Sequence, residues 1–332
     1  SARLLFAAGA AIAAAANLGF AFIAHDAGSA IPFRVVTGLA LAGVYPVGLK
    51  LLAGWFRRER GLAIGVLVGA LTIGSALPYL FRAIGASQGL DWRLTVASAS
   101  VASLVGGAIV LAGGENGPWT VPAPRFSVEV ARAAFRETSV RLANLGYLGH
   151  MWELYAMWTW APVMMRASLA ARGSPPALAE ALSFLVIGAG AAGCAIAGVV
   201  ADRIGRTVVT SWAMAISGSC CLAVGFFFGS PPAALAAVAA LWGASVVADS
   251  AQFSACVTEL GDPQYMGTAL TIQTCLGFLL TVASIQLIPI LVHAVGWRWA
   301  FAALAPGPAF GVSAMLRLRS LPEAVKIAQG RR

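Results

Sequence analysis

The chain has 332 residues, of which 59% are hydrophobic and only 11% charged, with a formal net charge of +9. A soluble domain carries roughly 25% charged residues, so this composition leaves too little polar surface to cover a water-soluble globule. The surplus of bases does not indicate nucleic acid, because Lys and Arg stand in short clusters between apolar runs, without the aromatic–basic interleaving of a nucleic-acid groove. The five cysteines (Cys194, Cys220, Cys221, Cys256 and Cys275) lie in apolar runs with neither metal spacing nor a disulfide framework, and read as buried, inert thiols.

A helix that crosses a bilayer needs about 20 mostly apolar residues. Ten such runs follow in order, at about 4–24, 31–56, 61–84, 93–112, 143–165, 178–200, 207–229, 233–257, 267–292 and 298–316. The loops are short except for 113–142, which opens on Gly113-Gly114 and carries Pro118, Pro122 and Pro124, so it is not one straight helix. Within it Ser127 is placed to cap an amphipathic helix through about Leu142, with Arg132, Arg136 and Arg141 toward water. The chain thus divides into a four-span half (1–112), a linker (113–142), a six-span half (143–316) and a tail (317–332). Arg3 before an Ala-rich run also has the outline of a leader peptide, but the repeat and the orientation below fit a true span better.

The bases orient the chain. Arg3, the cluster Arg57, Arg58 and Arg60, the linker residues Arg125, Arg132, Arg136 and Arg141, then Arg203 and Arg206, and the tail residues Arg317, Arg319, Lys326, Arg331 and Arg332 fall on one side. The opposite loops hold Arg166 and Arg172, with Arg82, Arg93 and Arg298 near helix ends. Cytoplasmic loops carry the excess of Lys and Arg, so the 57–60 loop, the linker and the tail are expected in the cytoplasm.

The chain also repeats itself. Arg60-Gly61-Leu62-Ala63-Ile64 opens one helix and Asp91-Trp92-Arg93-Leu94 follows; Met266-Gly267-Thr268-Ala269-Leu270 opens another and Gly296-Trp297-Arg298-Trp299 follows at a matching interval. Between two apolar runs of the second half stands Gly198-Val199-Val200-Ala201-Asp202-Arg203-Ile204-Gly205-Arg206. Hydrocarbon cannot solvate its carboxylate and guanidinium groups, so the turn lies in water between two spans. The spacing G-x-x-x-D-R-x-G-R resembles the signature loop of the major facilitator superfamily of secondary transporters. Thr207 stands where that family usually continues with a base. An ordinary basic loop is the plainer reading of the same residues. The resemblance implies an all-α polytopic membrane bundle, of about ten spans here, in two pseudo-repeat halves that rock about a site near mid-membrane. Sliding one half over the other sets Arg3 against Arg206, so Ser1-Ala2-Arg3 resembles the end of a first copy of the loop. The expectation is that two further spans and most of their loop precede Ser1.

Ionisable groups inside spans cost about 2.5–3.5 kcal/mol each at a helix centre, which makes them functional candidates. Tyr147, His150 and Glu153 share one face of the span 143–165. A His beside a carboxylate in low dielectric can exchange a proton near neutral pH, which suits a proton relay or a substrate-orienting pair; a packing bridge is the alternative. Arg34, near the outer end of its span, either holds an anionic substrate or snorkels to the interface. Asp249 and Gln252 share a face of the span 233–257, as further coupling or substrate residues or as hydrogen bonds between the halves. Gly198, Asp202, Arg203, Gly205, Arg206 and Arg60 form the expected gating loop. In it the Asp202 carboxylate faces the start of the helix opening at Arg60-Gly61, whose free N–H groups and partial positive charge attract an anion.

Gly61, Gly65 and Gly69 recur every four residues, a smooth stripe for close helix approach. Antiporters of the superfamily often carry a Gly-Pro-rich signature in this helix; the run 69–78 lacks that step, which disfavours a drug or cation exchanger. The superfamily's nitrate carriers hold their anion with an Arg on the second helix of each half, and 178–200 has none. There is no Gly-Lys-Ser/Thr phosphate loop, no His-Glu-x-x-His and no nucleophile elbow, so no cofactor, metal or enzymatic activity is expected. The sequence is therefore read as a monomeric secondary active transporter of the plasma (inner) membrane. Its partners are a small-molecule substrate, protons and the lipid bilayer. A multidrug or metabolite efflux antiporter is the alternative, and a membrane-embedded enzyme or receptor the reading from another class.

Overall fold

The computed structural model describes residues 1–56, 59–85, 91–120, 132 and 135–332, and among these the regular structure is entirely helical. In chain order the helices are α1 (Ala2–Phe22), α2 (Ala27–Leu41), α3 (Tyr45–Ala53), α4 (Arg60–Gly85), α5 (Trp92–Gly113), α6 (Thr138–Ala170), α7 (Pro176–Ile204), α8 (Arg206–Ala223), α9 (Pro232–Ala248), α10 (Ser250–Leu260), α11 (Met266–Val295), α12 (Trp297–Ala300) and α13 (Pro306–Ser320). Tighter 3₁₀ turns occupy Val224–Phe227, Phe301–Leu304 and Pro322–Gly330. Among the described residues nine helical stretches are long and apolar enough to cross a membrane.

Three expected spans are interrupted. The run 31–56 becomes α2 and α3, parted at residues 42–44 just ahead of Pro46, which has no N–H to donate to the preceding turn and stands in the first turn of α3. The run 233–257 becomes α9 and α10, which meet at Asp249. The run 298–316 is broken before Pro306. The expected span 143–165 lies inside α6, a 33-residue helix. It is long enough to cross and is more polar than the other long helices, with Asn144, His150 and Glu153 all buried. Arg141 belongs to α6, whose helix begins at Thr138. Arg57, Arg58, Pro122, Pro124, Arg125 and Ser127 lie outside the described residues, as does the first part of the expected linker helix; its described part is not one helix, since residues 135–137 form a turn and bend before α6 begins.

The chain folds into two compact units, Ser1–Arg57 with Ser87–Pro122 and Arg58–Ala86 with Ala123–Arg332. In the first, α1 packs on α2, α3 and α5. The first turn of α2 is closed reciprocally: the Asp26 carboxylate accepts from Ser29 N–H at 2.7 Å and the Ser29 hydroxyl accepts from Asp26 N–H at 3.1 Å. The backbone N–H of Ser29, then its hydroxyl, hold the Asp26 carboxyl below its usual range. Both Trp-Arg steps of the sequence repeat open helices, and each guanidinium covers a ring: Arg93 over Trp92 at 5.0 Å, Arg298 over Phe226 at 4.9 Å.

The second unit is built on close helix approach. Lipid tails give helices no hydrophobic reason to associate, so small residues that let backbones touch carry the packing. A methyl group on Gly65 of α4 would stand 2.7 Å from the Cys194 carbonyl of α7, and one on Gly198 of α7 would stand 2.8 Å from the Gly61 carbonyl. The same holds where α6 crosses α13: a methyl on Gly149 would lie 2.5 Å from the Gly307 carbonyl. Four of the cysteines are buried as expected, but Cys275 is exposed. It shares the outward face of α11 with Leu279 and Val282, which a bilayer rather than protein would cover.

The α4–α7 seam yields a direct check. Gly65→Val should destabilise the protein by about 1–3 kcal/mol through overpacking, read as a lower melting temperature in detergent micelles. Gly74→Val on the same helix, where an added methyl meets nothing within 4 Å, should leave that temperature nearly unchanged.

Candidate functional site

The charged turn closes over the start of α4. Between α7 and α8 the backbone at Gly205 takes φ +107°, a conformation that side chains resist. Asp202, in the last turn of α7, turns back to α4: Oδ1 accepts from Gly61 N–H at 3.2 Å and Oδ2 from Leu62 N–H at 3.0 Å. Helix starts leave such N–H groups without intrahelical partners, so the carboxylate satisfies two of them. Gly198 is what lets the two backbones come this close.

Arg206, only 1% exposed, holds the turn together. Its Nη2 lies 2.9 Å from Asp202 Oδ1, Nε and Nη2 each donate to a Glu259 oxygen at 2.8 Å, and Nη1 donates to Gln252 Oε1 at 2.7 Å. Arg60 Nη1 donates to Thr258 Oγ1 at 3.1 Å, a second tie between α4 and α10. Arg203 is exposed. The tail joins the cluster too. Ala328 N–H donates to Glu259 Oε2 at 3.0 Å, Arg331 donates to the Asp202 carbonyl, and Arg319 Nη1 donates to Thr207 Oγ1 at 3.3 Å.

Deeper in the unit, His150 and Glu153 do not pair with each other. His150 Nδ1 stands 2.8 Å from Asp249 Oδ1, both side chains 1% exposed. Glu153 faces α8 and α9: it accepts from Ser217 Oγ at 2.9 Å, from Cys221 Sγ at 3.0 Å and from Trp242 Nε1. Three residues apart on one helix face, the two groups reach different neighbours, His150 the α9–α10 junction and Glu153 the facing side chains of α8 and α9. Tyr147 lies over His150 with ring centroids 5.8 Å apart, and Phe253 flanks both. The His150–Asp249 approach is a close contact between ionisable groups without hydrogen-bond geometry, and neither nitrogen of His150 has a hydrogen-bond partner among the described residues. Asp249 and Gln252, expected to bond between sequence halves, instead meet α6 and α8, both of the second half. Arg34 lies in the first unit, exposed, donating to Asn17 Oδ1 at 2.9 Å and covering the Phe20 ring at 5.3 Å.

At the opposite ends of the same helices Glu180 of α7 is shared by Arg166 of α6 at 3.1 Å and Arg82 of α4 at 3.3 Å. The sequence reading used these bases only as orientation signals. It also missed Glu259, Ser217, Cys221 and Trp242. Glu259 had a visible mark, since it follows Gln252 by seven residues and so repeats its helix face. The other three are ordinary span residues whose role appears only in three dimensions.

A family model of the Major Facilitator Superfamily matches residues 1–285. The chain belongs to the major facilitator superfamily, and the nine long apolar helical stretches among its described residues are those of a multi-pass membrane protein. The MFS transporter asaE of Aspergillus flavus is 25% identical over 173 residues, 52% of this chain but only 38% of that protein. Among solved structures, the proton:xylose symporter XylE bound to 6-bromo-6-deoxy-D-glucose superposes with a TM-score of 0.71 over 95% of this chain and 78% of its own, at 12% identity. The human organic anion transporter MFSD10 (TETRAN) gives 0.64 over 95% and 81%, at 14% identity. At these identities the likeness is one of fold.

Arg206 is the member of the turn whose loss should cost most. Arg206→Met would leave Glu259 and Asp202 facing each other without a cation, and breaking a buried pair from one side costs about 3–5 kcal/mol. Arg206→Lys should recover only part, since an ammonium lacks the planar fork that meets the Glu259 carboxylate twice. Melting temperatures of the three proteins in micelles check the order.

Proposed function

We propose that this protein is a proton-coupled secondary active transporter that moves a small solute by alternating access. It works as a monomer in the plasma (inner) membrane, with its tail in the cytoplasm. The observation that carries the reading is Glu153, a carboxyl group 1% exposed within a long intramembrane helix and held by neutral donors alone. Gaining or losing a proton there changes a full charge where water is scarce, the largest electrostatic event open to the bundle. The His150–Asp249 pair one turn away offers a second exchanging site. Burying such groups is costly and adds little stability, which suits a working role better than a packing one. Aligned bases favour a cytoplasmic turn end. There Asp202 reaches the start of α4 only while the ends of α4 and α7 are together, so it acts as a gate. Asp202→Asn removes the attraction between its charge and that helix start, and should shift the population toward the cytoplasm-open form by about 0.3–1 kcal/mol.

The test uses reconstituted vesicles and a panel of sugars and organic anions, with solute-evoked proton flux as the readout. For a solute that evokes flux, Glu153→Gln should abolish uptake driven by a pH gradient while solute counterflow partly survives, because exchange needs no net protonation change. His150→Ala should move the pH optimum. Gradient-driven uptake with wild-type pH dependence in both variants would reduce the cluster to packing.

A further inference from the structure

We propose that α10 is a lever that joins the mid-membrane His150–Asp249 pair to the gate, and that Asp249 is the positioning residue at its inner end. This rests on the proton-coupled reading above and assigns the mechanical link within it.

The helix is built to move as one piece. It has 11 residues, Ser250–Leu260, about 16 Å long at 1.5 Å per residue. Its sequence has neither Gly nor Pro, the usual causes of a kink, and Ser250 to Thr258 are buried without a break. At the inner end the junction with α9 at Asp249 keeps helical backbone angles (φ −84°, ψ −20°); at the other, Gly261-Asp262-Pro263 ends the helix. A stiff, unkinked element transmits displacement rather than absorbing it.

Besides Ser254 at its middle, whose hydroxyl donates to Gln273 of α11 at 3.3 Å, its polar groups lie toward its two ends and link two sites. At the inner end Asp249 is held by His150 of α6 at 2.8 Å. One turn on, Gln252 accepts from Arg206 at 2.7 Å. At the far end Thr258 accepts from Arg60 at 3.1 Å, and Glu259 takes the Arg206 fork. Arg206 in turn meets Asp202, which caps α4. The hold on Asp249 therefore sets the placement of three groups that grip the gate: Gln252, Thr258 and Glu259. His150 also has Tyr147 and Glu153 on its own helix; α7 brings the Cys194 thiol, which donates to the Val247 carbonyl at 3.2 Å, and α11 and α13 carry no acidic residue. Asp249 is thus the acid in close contact with His150, and breaking that contact frees the inner end of the lever.

Amide hydrogen exchange of the full chain in micelles tests this with no substrate or proton gradient. The readout is a peptide covering 60–64, whose Gly61 and Leu62 N–H groups are the ones Asp202 caps. Asp249→Asn should speed exchange there on the order of tenfold, the middle of the usual range for coupling between sites, and leave peptides of α13 at wild-type rates. Asp202→Asn sets the ceiling, and adding Asp249→Asn to it should give no further increase. Exchanging the partners, His150→Asp with Asp249→His, should restore protection, which also answers whether the single variant has merely lost its fold. Wild-type exchange at 60–64 in Asp249→Asn, additive effects in the double variant, equal acceleration in α13, or no rescue by the exchanged pair would each overturn the lever. Failure here with Glu153→Gln still abolishing driven uptake removes the lever and keeps proton coupling; the reverse pattern removes coupling and keeps the lever.

Discussion

A guanidinium buried beside two carboxylates is the constraint on which the second unit turns. Without Arg206, α7 and α10 would bring Asp202 and Glu259 together in a space with little water, and the seam between them could not close. With it, the two acids are balanced by one fixed charge and by the partial positive charge at the start of α4. The geometry is demanding, because Arg206 of α8 gives three hydrogen bonds to Glu259 and Gln252 of α10 and still reaches Asp202 of α7, which caps α4. Those contacts link four helices at one point, and the tail joins through Ala328.

Away from that point the helices are joined by what they lack. Gly65, Gly198, Gly149 and Gly307 have no side chain to hold backbones apart, and the distances that a methyl would meet show how completely the space is used. In a bilayer this is the available source of tight association besides polar bonds. Close approach also brings side chains of α8 and α9 within reach of Glu153 on the strongly polar helix α6.

Much of this was legible in the sequence. The span pattern, the charged turn and its glycine stripe, and the direction in which Asp202 looks all follow from rules that need no coordinates: run length, where charge can be solvated, and which helix end attracts an anion. The pairing of His150 was not legible. Helix periodicity puts His150 and Glu153 on one face, but it says nothing of where two neighbouring helices join. The α9–α10 junction at Asp249 has no Pro or Gly to announce it. Glu259 could have been found from its spacing to Gln252, whereas the Ser217–Cys221–Trp242 set around Glu153 depends on how α8 and α9 rotate against α6, which a single sequence does not encode at short range.

The signature turn departs from its family at Thr207, where a base would ordinarily follow. The fold brings Arg319, more than a hundred residues later, to the Thr207 hydroxyl. The cation is displaced along the chain yet present at the place, carried by the last spanning helix instead of the turn. A local pattern therefore undercounts the positive charge of this turn, and a substitution in the distant helix end can act as a change to the motif itself.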